Sequence, residues 1–239
     1  MYSSDNLKVA AIVPAAGQGT RLGGQTKKQF RELAGKPLLI HTLERMLTAP
    51  QVSWLVVAVP EANLDSTYEM VSEIVPDNID FTVTVGGTTR QKSVALALQE
   101  IPEEIPIITV HDAARPLLDP AWIGETALLC TEYDGAIVAI PAVDTLKEVA
   151  LSAGESTGIV EGTLARNVTW QAQTPQTFRA AILRKAVRKA EDTGLSGTDE
   201  SCLVEAIGGR VAVVRGSAGN IKITSSEDWR TLEWRLTGD

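Results

Sequence analysis

A strand-like apolar run that opens into a glycine-rich loop constrains the fold of this chain more than any other segment. The run, Val9 to Val13, is followed by a loop that contains Gly17, Gly19, Gly23, Gly24, Arg21, Lys27 and Lys28. Glycine lets backbone N–H groups approach a phosphate with no Cβ in the way, and neighbouring cations neutralise the phosphate charge. The pattern indicates a nucleotide-binding α/β protein whose chemistry takes place at the phosphates.

The spacing of these glycines excludes two common phosphate-binding families. A dinucleotide-binding fold needs G-x-G-x-x-G, but after Gly17 and Gly19 the third glycine falls one position late, at Gly23. This spacing also excludes a dehydrogenase built on that fold. A P-loop needs G-x-x-x-x-G-K-[ST], and the sequence contains no such run. Taken alone, the segment is also compatible with an ordinary glycine-rich turn between a strand and a helix.

Apolar runs and helical periodicities alternate along the rest of the chain. Strands are predicted near 9–14, 54–59, 81–85, 105–110, 135–140, 211–215 and 220–224. Helices are predicted near 37–48, 61–75, 90–100, 120–131, 178–193, 199–207 and 226–236. Helix caps are expected at Asp119, before Pro120, and at Ser225, with Asp228 completing a capping box. Continuous apolar strands such as 54–59 require a sheet covered on both faces. The sequence therefore predicts an α/β fold with a doubly wound, mostly parallel, Rossmann-like sheet.

Residues 143–172 interrupt this alternation. They are polar, β-branched and rich in Gly, Ser and Thr, with no helical period. Because long structureless loops are rare in compact domains, we predict an extended two-stranded β-arm that protrudes from a single domain spanning 1–239. A two-stranded arm is only marginally stable alone. We therefore expect it to pack against a second copy of the chain in a homodimer.

Composition narrows the partners and the compartment. A formal net charge of −8 argues against binding to nucleic acid or to a membrane surface. No apolar run approaches the ~20 residues of a membrane span, and the first residues do not resemble a signal peptide. We therefore expect a cytoplasmic protein in which Cys130 and Cys202 are unpaired, small hydrophobic residues.

Polar clusters follow two other predicted strands. Gly86 and Gly87 come after strand 81–85 and permit close approach of the backbone to a base or sugar, and Ser93 is placed to bond a ribose hydroxyl. A plain helix N-cap at Thr88 or Thr89 explains that segment equally well.

After strand 105–110, Asp112 precedes Arg115 by three residues, which suits an anion site with a metal or a ribose hydroxyl close by. The alternative is a local ion pair between these two residues that fixes a turn. His111 is expected to be structural, because it has no second ligand at metal spacing. His41 lies on a helical pattern and is expected to be a surface residue or a hydrogen-bonded core residue.

Later segments add further polar groups. In the predicted strand 220–224, alternation puts Asn220, Lys222 and Thr224 on one face. Taken alone, a lysine in that position is typical of a solvated edge strand. The sequence offers no Ser/His/Asp or Cys/His triad, no carboxylate pair and no metal-ligand cluster, whereas cations recur. This combination favours phosphoryl or nucleotidyl transfer, which depends on positioning and charge neutralisation.

In this order and spacing, the motifs resemble those of the 2-C-methyl-D-erythritol 4-phosphate cytidylyltransferase family of the non-mevalonate isoprenoid pathway. The matching segments are AAGQGTR at 15–21, KQF at 28–30, GG at 86–87, HDAARP at 111–116, DTLK at 144–147, QTPQTF at 173–178 and NIKIT at 220–224. The family joins CTP to the sugar-alcohol phosphate with Mg²⁺ and releases pyrophosphate. The resemblance implies the same substrates here and a Mg²⁺ ion held mainly by the CTP phosphates.

The resemblance also implies roles for individual residues. Catalytic roles fall to Arg21, Lys28, Arg166 and Lys222. The nucleotide would be bound by Pro14, Ala15, Ala16, Gly17, Gly19, Gly86, Gly87, Thr88, Ser93, Asp112 and Ala113. The sugar phosphate would be bound by Asp112, Arg115, Thr145, Arg166, Thr174 and Lys222. In this family the arm is exchanged across a homodimer, so Thr145 and Arg166 would serve the neighbouring subunit.

Two alternatives remain at the level of sequence. A ribitol-5-phosphate cytidylyltransferase shares the loop and the Thr-Pro-Gln segment, but Ala114 and Lys147 favour methylerythritol phosphate. The second alternative is a catalytically inactive nucleotide-binding module. A module without activity would not need every catalytic cation, yet this chain has all four: Arg21, Lys28, Arg166 and Lys222.

Overall fold

A seven-stranded sheet with helices on both faces forms the body of the protein. The computed structural model describes residues 7–17, 27–152 and 157–238. The strands are β1 (Val9–Pro14), β2 (Glu32–Leu33), β3 (Lys36–Pro37), β4 (Val52–Val59), β5 (Asp80–Val85), β6 (Ile107–Val110), β7 (Gly135–Pro141), β8 (Lys147–Leu151), β9 (Gly158–Thr163), β10 (Trp170–Arg179) and β11 (Val211–Arg215). The helices are α1 (Leu38–Leu47), α2 (Leu64–Ser72), α3 (Arg90–Ala97), α4 (Ala121–Leu129), α5 (Ala180–Thr193), α6 (Glu200–Ala206) and α7 (Ser226–Thr237).

The order of strands in the main sheet is β11-β7-β10-β6-β1-β4-β5. Only β10 runs antiparallel to its neighbours β6 and β7, and the other recorded pairings in this sheet are parallel. The predicted doubly wound, mostly parallel sheet is confirmed. No helix in the ranges that the structure describes is both long and apolar enough to cross a membrane.

Alternation along β1 shows why its residues are apolar without interruption. Val9, Ala11 and Val13 point into one core, which they share with α1 and α4. Ala10 and Ile12 point into the opposite core, which they share with α3, α5 and α6. A strand buried on both faces has no polar side, so it cannot show a period of two in hydrophobicity.

Each predicted helix agrees with the structure to within a few residues, as does each predicted strand except 220–224; the short strands β2 and β3 and the longer β10 are not predicted. Asp119 does not occupy the N-cap itself: Pro120 does, although Asp119 Oδ1 accepts from the Ala121 N–H at 3.1 Å. The capping box of Ser225 and Asp228 is present.

The predicted strand at 220–224 is wrong. The segment, which we call the strap, pairs with no strand among the described residues, and its backbone bonds to the loop after β6 instead. The Ile223 N–H donates to the Ala114 carbonyl oxygen at 2.8 Å. Ile223 is completely buried in a third, small core with Ala114 and with Leu232 of α7. Apolar contacts below the strap, and not pairing with a neighbouring strand, therefore hold the strap in place.

The strand β10 was missed, because its central position is unexpected for a segment that contains a proline. It pairs with β6 on one side and β7 on the other, and the pairing with β7 shifts register between Ala172 and Gln176, around Pro175. Trp170–Ala172 belong to this main-sheet strand, so the predicted arm boundary at residue 172 extends too far. Within the predicted arm, β8 and β9 form a separate antiparallel pair whose residues are nearly all exposed.

Candidate active site

The loops that follow the parallel strands meet at one edge of the sheet. Their first residues continue the hydrogen bonding of the neighbouring strands: the Ala15 N–H donates to the Ala58 carbonyl, the Gly86 N–H to Val59, and the His111 N–H to Ile12. Because parallel strands end at the same edge, the predicted nucleotide residues 14–17, 86–88 and 112–113 come together there. Of the predicted residues, Gly19 and Arg21 lie outside those that the structure describes.

The start of the glycine-rich loop is held by a glutamine that sequence reasoning did not single out. The Gln29 amide nitrogen donates to the carbonyl oxygens of Ala15, at 2.5 Å, and Gly17, at 3.0 Å. The side chain of Gln29 is buried. The neighbouring Lys28 donates through Nζ to the Ile223 carbonyl oxygen at 2.7 Å. These bonds place the predicted catalytic lysine between the loop after β1 and the 220–224 strap.

Two glycines after β5 bring the backbone close to the first loop. A Cβ on Gly86 would lie 2.4 Å from Ala16 Cβ and 2.9 Å from Ser93 Oγ. The Ser93 hydroxyl accepts from the Gly87 N–H at 3.0 Å and donates to the Thr89 carbonyl at 2.9 Å. Thr89 caps α3, accepting from the Lys92 N–H at 3.1 Å. The N-cap alternative is thus confirmed at Thr89, and the Ser93 hydroxyl orders the glycine pair.

A chain of hydrogen bonds fixes the loop that carries Asp112 and Arg115. His111 is fully buried, and its Nε2 lies 3.1 Å from the Arg115 carbonyl oxygen, which can only accept, so Nε2 carries the proton. Its Nδ1 then accepts from the Thr174 hydroxyl at 3.0 Å, which itself accepts from the Asp112 N–H at 3.0 Å. Burial lowers the pKa of His111 to about 4. This histidine is structural, as expected, and the Thr174 hydroxyl is engaged by the same loop.

Three cations surround the carboxylate of Asp112. Lys222 Nζ lies 2.7 Å from Oδ2, Arg90 Nε lies 3.0 Å from Oδ1, and Arg115 Nε lies 3.6 Å from Oδ2. Burial alone would raise the pKa of Asp112, but Arg90, Lys222 and Arg115 together hold it well below its usual range. The local pair of Asp112 with Arg115 is present, yet it is one part of a larger cluster of charges.

Behind this cluster lies a second, deeper carboxylate. Arg90 Nη1 donates to both oxygens of Glu200, at 2.6 and 2.9 Å, and only 2% of the Glu200 side chain is exposed. Burial alone would lower the pKa of Arg90, but the carboxylates of Glu200 and Asp112 raise it. Sequence reasoning assigned no role to Arg90 or Glu200. Their separation of 110 positions gives no local signal that they meet.

The 220–224 strap carries Lys222 to this cluster. Arg115 Nη1 donates to the Asn220 carbonyl oxygen at 2.7 Å, and the Asn220 amide donates to the Thr174 carbonyl oxygen at 2.9 Å. Because Asn220 and Ile223 are both buried, Lys222 between them emerges beside Asp112 with 39% of its side chain exposed. The predicted convergence of Asp112, Arg115, Thr174 and Lys222 is therefore observed, although the predicted strand is not.

The arm residues are not brought to this cluster within the single chain. Thr145 and Arg166 are exposed, and Arg166 Nη1 donates to the Val143 carbonyl oxygen at 3.3 Å. In the part of the chain that the structure describes, neither residue makes a hydrogen bond or ion pair with Asp112, Arg115 or Lys222.

No group of three or more His, Cys, Asp or Glu side chains among the described residues is arranged to hold a metal ion. A Mg²⁺ ion commonly binds through one or two carboxylates plus substrate phosphates. Asp112, which is more accessible than Glu200, is already paired with three cations, so the described residues fit an ion held mainly by a ligand's phosphates.

Comparisons with known proteins all point to one family. The family model of 2-C-methyl-D-erythritol 4-phosphate cytidylyltransferase (IspD) matches residues 9–237. The enzyme of that name from Acidobacterium capsulatum is 43% identical over 229 residues, which cover 93% of this chain and 94% of the relative. The one from Geotalea uraniireducens is 42% identical over 233 residues, covering 95% and 96%. The crystal structure of the Francisella tularensis 2-C-methyl-D-erythritol 4-phosphate cytidylyltransferase superposes with a TM-score of 0.79 at 31% identity, covering 96% of this chain and 100% of the other.

Proposed function

This chain belongs to the 2-C-methyl-D-erythritol 4-phosphate cytidylyltransferase family, and from that premise we propose how its residues bind and join the two substrates. The enzyme is a nucleotidyltransferase of isoprenoid precursor biosynthesis. It joins CTP and 2-C-methyl-D-erythritol 4-phosphate to give 4-diphosphocytidyl-2-C-methyl-D-erythritol and pyrophosphate. The observation that carries the assignment of the site is the meeting of Asp112, Arg115 and Lys222 beside the glycine loops.

The nucleotide occupies the edge formed by residues 14–17 and 86–88. The close packing of Gly86 on Ala16 supports this placement, because the lack of a side chain at Gly86 lets the loops after β1 and β5 meet at one edge. Gln29 fixes the carbonyl groups of Ala15 and Gly17, so this part of the loop is ordered before substrate binds. An ordered loop binds more tightly, since less conformational entropy is lost on binding.

The reaction needs charge neutralisation more than proton transfer. An oxygen of the sugar-alcohol phosphate attacks the α-phosphorus in line, the new P–O bond forms, and the bond to the pyrophosphate oxygen breaks. The nucleophile is already an anion, so no general base is required. The barrier comes from repulsion between anions, which Arg21 and Lys28 reduce as charge builds on the α-phosphate.

The sugar phosphate lies against Asp112, Arg115 and Lys222. The ammonium of Lys222 is the most accessible cation of the cluster, and it is oriented by its contact with Asp112. An incoming phosphate competes with that carboxylate for the ammonium, while Asp112 can then accept from a substrate hydroxyl. The site therefore favours a ligand that carries both a phosphate group and hydroxyl groups, as a sugar-alcohol phosphate does.

Mg²⁺ completes the site in this proposal. Bound to the triphosphate, the ion supplies additional positive charge at the phosphates. The ligands of the ion would be the CTP phosphates and water, because the Asp112 carboxylate is already paired with Arg90, Arg115 and Lys222.

The second proposal is a cytoplasmic homodimer held by the arm. Exposed apolar side chains on the arm include Val143 at 77%, Ile159 at 75% and Val168 at 72% exposure. Several large apolar side chains exposed on one small element favour a role for the arm in a protein interface. A partner's arm would bring Thr145 and Arg166 to the sugar-phosphate cluster, which lacks them within one chain. The formal charge of −8 supports the absence of nucleic acid among the partners.

The decisive experiment supplies the purified protein with CTP, Mg²⁺ and either 2-C-methyl-D-erythritol 4-phosphate or ribitol 5-phosphate. We expect pyrophosphate release with the first sugar phosphate and a product with the mass of 4-diphosphocytidyl-2-C-methyl-D-erythritol. Faster turnover of ribitol 5-phosphate would contradict the substrate assignment. Saturable CTP binding without pyrophosphate release from either compound would instead indicate an inactive nucleotide-binding module.

A further inference from the structure

The buried carboxylate of Glu200 is the one member of the charge cluster that no substrate can reach. Its side chain is 2% exposed, and both of its oxygens accept from Arg90. Burying a carboxylate is costly, and an ion pair repays that cost only with good geometry. Apolar residues in place of both Arg90 and Glu200 would often serve stability equally well. The ion pair therefore calls for an explanation other than stability.

The backbone of Glu200 is rigidly held. It is the first residue of α6, and the N-cap of that helix is Asp199, which accepts from the Cys202 N–H at 3.1 Å. Gln176 of the central strand β10 bonds this helix start from both ends of its amide: Nε2 donates to Asp199 Oδ2 at 2.8 Å, and Oε1 accepts from the Ser201 N–H at 3.2 Å. The start of α6, and with it Glu200, is thus anchored to the central strand β10.

Arg90 transmits that fixed position to Asp112. The same guanidinium donates through Nη1 to Glu200 and through Nε to Asp112 Oδ1, so it bridges the two carboxylates. With Oδ1 occupied by Arg90, Oδ2 is directed toward Lys222 and Arg115. The carboxylate of Asp112 cannot rotate without breaking the Arg90 contact.

Glu200 also reduces the net positive charge that Arg90 contributes to the site. Arg90, Arg115 and Lys222 carry three positive charges around Asp112, and Glu200 neutralises one of them from behind. Without Glu200, the guanidinium of Arg90 would lose its anchor and compete with Lys222 for Asp112 and for the incoming phosphate. Asp199 is the other acid beside Glu200, and its hydrogen bonds are to Gln176, Ser201 and Cys202.

We propose that Glu200 is a positioning residue of the sugar-phosphate site, which acts through Arg90 to orient Asp112 and thereby Lys222. The inference rests on the proposed function, in which Asp112 and Lys222 bind the sugar phosphate. It assigns Glu200 no contact with either substrate. We therefore expect Glu200 to affect the binding of the sugar phosphate and not that of CTP. The nucleotide loops are ordered by Ser93, Thr89 and Gln29, and their hydrogen bonds do not involve the Arg90 guanidinium.

The test compares the two Michaelis constants of the Glu200→Gln variant. We expect the KM for 2-C-methyl-D-erythritol 4-phosphate to rise about tenfold, the low end of what loss of an outer-shell partner costs at metal sites. The KM for CTP should stay within about twofold of the wild-type value. Glu191→Gln is the matched control. It removes an exposed acid that pairs with Lys92, and Lys92 lies on the same helix as Arg90. That control should leave both constants unchanged.

A second variant keeps the test decisive if Glu200→Gln does not fold. The double change Arg90→Met with Glu200→Leu replaces the buried ion pair by apolar side chains, which proteins commonly tolerate without loss of stability. We expect it to fold and to show the same selective rise in the KM for the sugar phosphate. A normal KM for the sugar phosphate in either variant, or an equal rise in both constants, would overturn the proposal. If the wild-type protein itself does not catalyse the reaction, the proposed function is refuted instead.

Discussion

The Lys222 ammonium lies 2.7 Å from Asp112 Oδ2, so the lysine that we assign to the sugar phosphate is already oriented by a carboxylate. The two residues are far apart in sequence and meet because Ile223, next to Lys222, is buried beneath the loop that carries Asp112. This arrangement holds a cation at the mouth of the site and keeps it partly accessible.

Replacing Lys222 by Met should weaken binding of the sugar phosphate selectively. We expect its KM to rise at least about tenfold, since a hydrogen bond to a charged group contributes roughly 1.5–3 kcal/mol, with little change in the KM for CTP. Arg90 and Arg115 still neutralise Asp112, so the melting temperature should change little. Separate titrations of the two substrates measure this, and Lys36→Met, which removes an exposed lysine paired with Glu44, is the control. An unaltered KM for the sugar phosphate would exclude the assigned contact.

Replacing Lys28 by Ala should lower kcat while the fold persists. Loss of a group that stabilises charge in the transition state typically costs about 2.7–4 kcal/mol, or roughly 10²–10³ in rate. The variant also loses the hydrogen bond to the Ile223 carbonyl, which contributes about 1 kcal/mol to stability. Steady-state kinetics and circular dichroism measure the two effects. Turnover near the wild-type rate would refute the role of Lys28, and we expect Arg21→Ala to behave in the same way.

The stability of the protein should fall between pH 7 and pH 5 because of His111. Burial lowers its folded-state pKa to about 4, so in this range the unfolded chain binds a proton at this histidine and the native protein does not. The free energy of unfolding therefore decreases as the pH falls, by about 2 kcal/mol from this one group. Urea titrations at both pH values measure the change.

The variant His111→Gln provides the comparison, because an amide can form similar hydrogen bonds and does not titrate. We expect its loss of stability between pH 7 and pH 5 to be smaller than that of the wild type by about 2 kcal/mol. Equal losses in the two proteins would mean that His111 is not held neutral.

Replacing Gly86 by Ala should disturb the nucleotide edge of the sheet. The added Cβ would lie 2.4 Å from Ala16 Cβ, so one of the two loops must move. We expect a loss of about 1–3 kcal/mol in stability, as for other overpacked sites, together with a higher KM for CTP. Gly17→Ala is the stability control, because among the described residues no heavy atom beyond its chain neighbours lies within 4 Å of its added Cβ. If Gly86→Ala matches the wild type in stability and in the KM for CTP, the two loops do not pack as described.

Replacing Ile159 by Glu should weaken the proposed homodimer. The side chain is 75% exposed on β9, so the change removes no core contact, but it would place a charge in the apolar interface. We expect a dimer for the wild type in sedimentation at micromolar concentration, and a shift toward monomer with loss of activity for the variant. Trp234→Glu, which alters an exposed side chain on α7, should remain dimeric. A monomeric, active wild type would contradict the exchange of the arm.

Much of the fold followed from local pattern. The strands β1, β4 and β7 are largely apolar runs bounded by turn residues, and β5 alternates apolar residues with threonine. The capping box at Ser225 marks the start of α7. The polar clusters after these strands were predicted to lie at one edge, since parallel strands share the direction of their carboxyl ends. The residues 112, 115 and 222 were identified on this basis and through the family resemblance.

The failures share a physical cause. At 220–224, alternation of apolar and polar residues predicted a strand, but the apolar residues pack on a loop and on α7 instead of within a sheet. The strand β10 contains Pro175, which lies where the pairing with β7 shifts register and before the pairing with β6 begins at Gln176. In both segments, tertiary partners decided the local structure.

The sequence by itself determined the class of fold, the glycine-lined edge of the sheet and the supply of cations, because these depend on residue type and short-range spacing. Only the tertiary structure decided which cation meets which carboxylate. The bridge from Glu200 through Arg90 to Asp112 joins three separate segments, and its geometry depends on how α3, α6 and the loop after β6 pack on the sheet. Electrostatic interactions depend on distance and burial, and neither quantity is encoded in the spacing of residues along the chain.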